Sequence, residues 1–390
     1  MKFIDFFAGI GGFRRGMELA GHECVGFCEF DKFATASYIS MHLLTEEQRK
    51  TLEDIPIKKR QKEILKEEYR NGEWYANDIR RVYAGDIPKA DCWCFGFPCQ
   101  DISVAGKQAG FQGNRSSLFF RVMYLVGQLK EEDRPTYLFI ENVKNLLSIN
   151  GGWDFARLLI EMDRQGYDAE WQVLNSKDFG VPQNRERCFI VGHLRGRSSA
   201  EVFPIKGTDR ENSVSLNLFG CLNGRNSQRD RVYGVDGLAP TISTKPGGNT
   251  EPKIAIPVLT PDRAEKRQNG RRFKEDGEPM FTLTGQDRHG IAIEVREAMN
   301  AFAVEREQGI FVQVSEELVV YAVWYEKYQC YIAARKLTPK ECFRLQGWTD
   351  DYYAKAQFLN SDSQLYKQAG NGVTVTVIEA IARKMNVNLN

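Results

Sequence analysis

This sequence lacks the histidines and the paired cysteines of a zinc site. The nine cysteines include no Cys-x-x-Cys pair, and four histidines, His22, His42, His193 and His289, do not complete a zinc site. Thiols so irregularly placed fit the reducing cytosol. No apolar run is long enough to cross a membrane. The apolar start, Met1 to Ile4, is broken by Asp5 and by glycines from Gly9 onward, which argues against a signal peptide. Charge of one sign is also missing: the net charge is +1, so bulk electrostatics do not announce a nucleic-acid binder. What is present is ordinary for a soluble protein, 42% hydrophobic and 27% charged residues. At 390 residues the chain can build one substantial core and a second domain.

The first half alternates strand and helix. Phe3 to Phe7 reads as a short apolar strand, and Ala8-Gly9-Ile10-Gly11-Gly12 as a turn into a helix over about 13–20 that Gly21 ends. A second strand, Cys24 to Cys28, closes on Glu29-Phe30. Strand, glycine turn, helix, strand and acid form the first half of a nucleoside-binding βαβ unit, in which such an acid binds ribose hydroxyls. A third glycine, which a dinucleotide fingerprint wants at position 14, is lacking. Arg14 stands there, against a nicotinamide or flavin enzyme and in favour of a smaller nucleoside ligand.

Two further strand ends carry reactive groups. Cys92 to Phe97 is an apolar strand closed by Pro98-Cys99-Gln100, and Thr136 to Ile140 stops at Glu141-Asn142-Val143. In an open α/β sheet ligands gather beyond the carboxyl ends of strands. A thiol and a carboxylate at two such ends can face one substrate, an arrangement suited to attack on an electron-poor ring.

The stretch from Thr45 to Glu73 is evenly charged and reads as an exposed helical insertion broken near Pro56. Helices are expected at about 116–129 and 154–164, and strands near 167–173 and 188–192. This is the order of a mostly parallel sheet with helices on both faces. After Leu194 glycine, asparagine, proline and arginine become frequent, and a weak repeat appears. Arg231-Val232-Tyr233, Asp236-Gly237 and Thr241-Ile242-Ser243 are echoed by Arg271-Arg272-Phe273, Asp276-Gly277 and Thr282-Leu283-Thr284. Each copy leads to a matching strand, Ile254-Ala255-Ile256 and Ile291-Ala292-Ile293, which suggests two similar β-rich units. Regular structure is expected to return at Arg335. Thr338-Pro339-Lys340-Glu341 has the cap, the proline and the glutamate of a helix start, Gly347 ends that helix, and 371–384 reads as a final helix.

Six motifs now stand in one order: Asp5 to Gly12, Pro98-Cys99-Gln100, Glu141-Asn142-Val143, Gln183-Asn184-Arg185-Glu186-Arg187, Arg335-Lys336-Leu337 and Gln368-Ala369-Gly370-Asn371-Gly372-Val373. The chain closely resembles the cytosine-C5 DNA methyltransferases of bacterial or phage, restriction-modification type, over roughly 1–195 and 335–390. The resemblance implies a Rossmann-like domain that uses S-adenosyl-L-methionine, made of 1–195 and 335–390, with a smaller β-rich target-recognition domain at 196–334. It implies that Cys99 adds to C6 of a flipped cytosine, that Glu141 contacts N3, that Arg187 holds the carbonyl oxygen of the base, and that Arg185 organises the site around the thiol.

For the cofactor, the resemblance assigns Phe7, Gly9, Gly11 and Gly12 to the turn under the methionine part, Glu29 to the ribose and Phe30 to the adenine. Asp78-Ile79, before Cys99, is the better match for the adenine contact, and Asp86-Ile87 its rival. Pro98, Leu118, Asn371 and Val373 match the rest of the pocket. Phe30 stands where many members carry tryptophan. Ser103 and Gly106-Lys107-Gln108-Ala109-Gly110 match the loop that closes over the extruded base, with glycines for hinges. Within 196–334, Arg225, Arg229, Arg231, Arg271 and Arg272 are candidates for guanine or phosphate contacts. Either Thr282-Leu283 or Thr241-Ile242 corresponds to the Thr-Leu pair beside the flipped nucleotide.

The expected partner is double-stranded DNA. A monomer working in a prokaryotic cytoplasm, or phage-encoded in its host, is expected, and a companion restriction endonuclease stays open. An RNA methyltransferase on the same scaffold and a silent binding relative are the alternatives. The long Arg- and Gly-rich insert favours duplex DNA over RNA, and the intact Cys99, Glu141 and Arg187 favour an enzyme over a binder.

Overall fold

Alternation in the first strand sets the layers of the fold. The computed structural model describes residues 1–97, 118–183, 185–197, 199–207 and 338–385, and between the last two stretches the backbone of eight strands. In β1 (Lys2–Phe6), Phe3 joins one buried cluster, while Ile4 and Phe6 join another on the opposite face. Helix α1 (Gly12–Leu19) covers the Phe3 face with Phe13 and Met17. The chain continues through β2 (Glu23–Cys28) and α2 (Lys32–His42), whose N-terminus is capped by the Asp31 carboxylate. The charged insertion is helical and broken at Pro56, as expected, into α3 (Glu46–Glu53) and α4 (Ile57–Glu63). Next come β3 (Trp74–Ala76), β4 (Cys92–Gly96), α5 (Leu118–Gln128), β5 (Tyr137–Val143), α6 (Trp153–Arg164), β6 (Tyr167–Asn175) and β7 (Glu186–Leu194).

These strands form one seven-stranded sheet in the order β3-β2-β1-β4-β5-β7-β6. The first five run parallel, and β7 is inserted antiparallel to both β5 and β6. The chain reverses direction in space between β1 and β4, the switch point beyond which an open α/β sheet binds its ligand. α5 and α6 bury Phe119, Val122, Leu158 and Met162 against the Ile4 face.

The last part of the chain completes this same core. α7 (Pro339–Leu345) starts at the expected Thr338–Glu341 capping box, followed by α8 (Asp350–Gln357), α9 (Asp362–Asn371) and α10 (Val375–Ala382). The helix expected over 371–384 is α10, which starts only at Val375, because Gly372 is extended (φ −71°, ψ 162°) and separates it from α9. α10 lies so close on α1 that a Cβ on Gly16 would sit 2.5 Å from Cβ of Ile378. Likewise a Cβ on Gly12 would sit 2.6 Å from Cγ2 of Val373.

Between residues 207 and 338 the described backbone is all strand. β8 (Leu218–Cys221) pairs with β9 (Arg231–Tyr233). The other six are β10 (Ala255–Leu259), β11 (His289–Val295), β12 (Glu305–Arg306), β13 (Gly309–Ser315), β14 (Leu318–Tyr325) and β15 (Cys330–Lys336). They make an antiparallel sheet in the order β10-β11-β15-β14-β13-β12. The strands expected to end the two repeat copies pair with each other, Ala255 opposite Ile293 and Ile256 opposite Ala292. Regular structure thus returns well before Arg335, which lies inside β15. Arg231 is in β9; Arg225, Arg229, Arg271, Arg272, Thr241 and Thr282 lie outside the described residues.

Candidate active site

Backbone conformation at the end of β1 prepares the site. Phe7 and Gly9 both adopt positive φ (53° and 55°), and Gly11, at φ 85°, caps α1. Left-handed backbone costs Phe7 energy that the surroundings must supply. The turn is held from outside by His42, whose Nε2 lies 2.9 Å from the Ile10 carbonyl. Opposite the turn, at the end of β2, the Glu29 carboxylate accepts N–H bonds from Gly9 and Asp31, both at 2.7 Å. Burial pushes the Glu29 carboxyl above its ordinary pKa, and the two amides oppose that rise. Phe30 follows and is 72% exposed, so it is no core residue.

The second half of the site is built on β4, β5 and β7. Asn142 is buried and donates from Nδ2 to the Phe97 carbonyl (2.9 Å), while its Oδ1 accepts from the Val143 N–H (2.9 Å). It therefore fixes the end of β4 to β5 just before Pro98 and Cys99. Glu141 is paired with Arg187, Oε1 to Nε at 3.0 Å, with side chains 12% and 16% exposed. The other oxygen, Oε2, lies 3.2 Å from where a Cβ on Gly96 would be. Arg185 is buried and donates from Nη2 to the Gly372 carbonyl at 2.8 Å, and its backbone N–H bonds Oδ1 of Asn175 at 3.0 Å. Burial, with Arg187 alongside, lowers the pKa of Arg185. The resulting guanidinium joins the turn before β7 to the α9–α10 turn.

Both halves line one cavity of about 550 Å³. Phe7, Gly9, Glu29, Phe30 and Leu118 form one part of its wall, and Gly96, Phe97, Glu141, Arg185 and Arg187 another. α9 closes a side with Gln364, Lys367, Gln368 and Asn371, which are spaced three and four apart on one helical face. Lys367 pairs with Asp31 at 2.6 Å and so ties α9 to the loop after β2. An acid fixed by two amides, an exposed ring beside it and a glycine turn fit a nucleoside-bearing ligand. A carboxylate–guanidinium pair in the same cavity suits a planar heterocycle with donor and acceptor edges.

The model of the C-5 cytosine-specific DNA methylase family matches residues 1–387. The chain belongs to this family. It is 30% identical to the orphan methyltransferase M.SPBetaI of Bacillus phage SPbeta, covering 99% of this chain and 97% of that one. It is 29% identical to the type II methyltransferase M.HhaI of Haemophilus parahaemolyticus, covering 100% and 95%. The fold is also that of the S. pombe Dnmt2 methyltransferase crystal structure, with TM-score 0.57 at 15% identity over 98% and 97% of the two chains. The protein is therefore a cytosine-C5 DNA methyltransferase with a mixed α/β fold.

Of the residues assigned from the methyltransferase motifs, Phe7, Gly9, Glu29, Phe30, Leu118, Glu141, Arg185, Arg187 and Asn371 line the cavity. Gly11, Gly12 and Val373 do not. Gly11 lies against His42, and Gly12 packs on Val373 behind the turn. Asp78 and Ile79 are also outside the lining; Ile79 is buried in the core and the Asp78 carboxylate is bonded to Arg80. Pro98, Cys99, Ser103, Gly106, Lys107 and Gln108 lie outside the described residues. Sequence reasoning gave no role to Asn142, His42, Gln364 or Lys367. For the last two the spacing of Gln364, Lys367, Gln368 and Asn371 was the available signal, since it marks one helix face next to a family motif. Nothing local marks His42, which reaches Ile10 only through the fold.

Proposed function

We propose that this methyltransferase modifies C5 of a cytosine in one short sequence of double-stranded DNA, acting as a monomer on a base turned out of the helix. The observation that carries this is the single cavity that joins Glu29 and Phe30 to Glu141 and Arg187. S-adenosyl-L-methionine, when bound, supplies the methyl group. Phe7, Gly9, Glu29, Phe30, Leu118 and Asn371 would hold it, with Glu29 at ribose hydroxyls and Phe30 against the adenine.

The remaining steps belong to the protein and the base. The Cys99 thiolate forms a bond to C6, and the electrons of the C5–C6 double bond move to C5. Glu141 stabilises the base at N3 while this happens, and Arg187 both orients Glu141 and holds the carbonyl oxygen. Arg185 fixes the polypeptide around the pair through the Gly372 carbonyl. After C5 is alkylated, loss of its proton returns electrons to the C5–C6 bond and expels Cys99. The insert at 196–334 would recognise the target, with Arg225, Arg229, Arg231, Arg271 and Arg272 as candidate contacts. Ser103 and the Gly106–Gly110 loop would close over the extruded base.

Bisulfite sequencing of plasmid from cells with no other cytosine methylation tests the proposal. Protected cytosines in one short recurring context, lost in Cys99→Ala, are expected. No protection by a soluble protein that binds S-adenosylhomocysteine overturns the DNA reading.

A further inference from the structure

Two of the side chains assigned to the adenine, Phe30 and Asp78, are engaged by one guanidinium. Arg80 donates to the Asp78 carboxylate through its backbone N–H (3.0 Å to Oδ1), through Nε (2.8 Å to Oδ1, 3.1 Å to Oδ2) and through Nη2 (2.8 Å to Oδ2). Its Cζ also lies 5.7 Å from the centroid of the Phe30 ring. The cavity wall reaches Phe30 but not Asp78, which Arg80 adjoins.

A guanidinium is flat, has N–H donors on its edge, and lays a face on aromatic rings. The 6-amino edge and the ring face of adenine offer a carboxylate and a phenyl ring the same two features. The two side chains also differ in freedom. Asp78 is 9% exposed and stays charged, its pKa held down by the bonds from Arg80. The Arg80 side chain is 48% exposed and can turn into water. A shielded carboxylate with one movable partner can exchange that partner for another donor.

We propose that Arg80 occupies the adenine subsite and is displaced when an adenosyl ligand binds, so that it sets affinity by competition. This rests on the cofactor reading given above. A half-exposed carboxylate–guanidinium pair contributes little to stability, so the competition is worth about two- to fivefold in affinity. Cofactor and demethylated product share the adenosine, so Arg80 weakens both alike and favours product release.

The test is isothermal titration of S-adenosylhomocysteine into the wild-type protein, Arg80→Ala and Arg80→Gln. It is repeated with S-inosylhomocysteine, in which an oxygen replaces the 6-amino group. Both variants are expected to bind S-adenosylhomocysteine about two- to fivefold tighter than wild type, with a smaller gain for the inosine analogue, which can use the freed Phe30 face but has no 6-amino group for Asp78. Unchanged or weaker binding of S-adenosylhomocysteine overturns the inference, because Arg80 then only supports Asp78. An equal gain for both ligands overturns it too, since the 6-amino group would not be what competes. A wild-type protein that binds neither ligand overturns the cofactor reading, and the inference with it.

Discussion

At the scale of single residues, the carboxylate of Glu141 is placed by contacts on two sides, the Arg187 guanidinium and the bare backbone of Gly96. A methyl group at Gly96 would meet Oε2 at 3.2 Å, closer than a comfortable contact, and the carboxylate would have to shift by a few tenths of an ångström. Gly96→Ala should therefore leave the protein folded and lower the single-turnover rate about tenfold, since small misplacements of reacting groups are costly. A rate within twofold of wild type would show that Glu141 tolerates the displacement. Asn142 is one step further from the chemistry. Asn142→Ala removes its bonds to the Phe97 carbonyl and the Val143 N–H in a buried place, which should cost about 1–3 kcal/mol in urea unfolding. The rate should fall further than that loss explains, because the freed segment leads directly to Cys99.

At the scale of elements, Arg14 shows why a missing glycine was informative. Largely buried on α1, it bonds Glu18 through Nε (2.7 Å) and both oxygens of Glu73 through Nη1 (2.7 and 2.9 Å), so it joins α1 to the segment before β3. Arg14→Met leaves Glu73 shielded without its partner and should destabilise the protein by about 3–5 kcal/mol. Arg14→Met with Glu73→Leu should recover most of that loss, and a double variant no more stable than the single one would refute the pairing. Thr338→Ala deletes the cap of α7 and should cost about 1 kcal/mol.

The same scale explains what the sequence made legible. β1, β2, β4, β5 and α1 were readable because apolar periodicity, a glycine turn and a following acid agree locally. The capping box of α7 was readable residue by residue. β13, β14 and β15 were not recognised, although Ile310-Phe311-Val312-Gln313-Val314 is strongly strand-forming, because the reading of the region after Leu194 followed its glycine, proline and arginine and the weak repeat. The final helix was legible from the helical spacing of Val377, Ala380, Ile381 and Lys384, but its start was placed too early, because nothing local shows that Gly372 is extended. In the site, Glu29, Glu141 and Arg187 were legible from motifs, whereas His42 and Asn142 act on backbone carbonyls, and no sequence pattern records which carbonyl a side chain reaches.

At the scale of the whole molecule, pH acts through His42. Burial and the nearby charges of Arg14, Arg15 and Lys355 hold its pKa well below the ordinary value, the Ile10 carbonyl opposing them. Nδ1 is shielded, with no partner among the described residues, so protonating it would bury an unmet N–H. The unfolded chain therefore takes up this proton first. The stability concerned is complete above the unfolded value, about 6.5, and is lost as pH falls, by about 1.4 kcal/mol per pH unit. In urea unfolding from pH 8 to pH 5, wild type should lose stability relative to His42→Gln below that point and run parallel to it above pH 7. Parallel curves throughout would show that His42 takes up its proton at the same pH in the folded and unfolded chain, and would refute the shift.

The contact of α10 on α1 also carries a consequence for synthesis. α1 leaves the ribosome early, yet the surface that Gly12 and Gly16 present is covered by Val373 and Ile378, which are made much later. At about 5–20 residues per second, roughly 20–70 s pass between the two helices. Throughout that interval the strand–turn–helix unit at the start of the chain lacks its backing, and strands β8 to β15 are made before the core can close. The methyltransferase fold is thus completed from α10, and a nascent chain stalled before α10 holds all six motifs without the packing that aligns them.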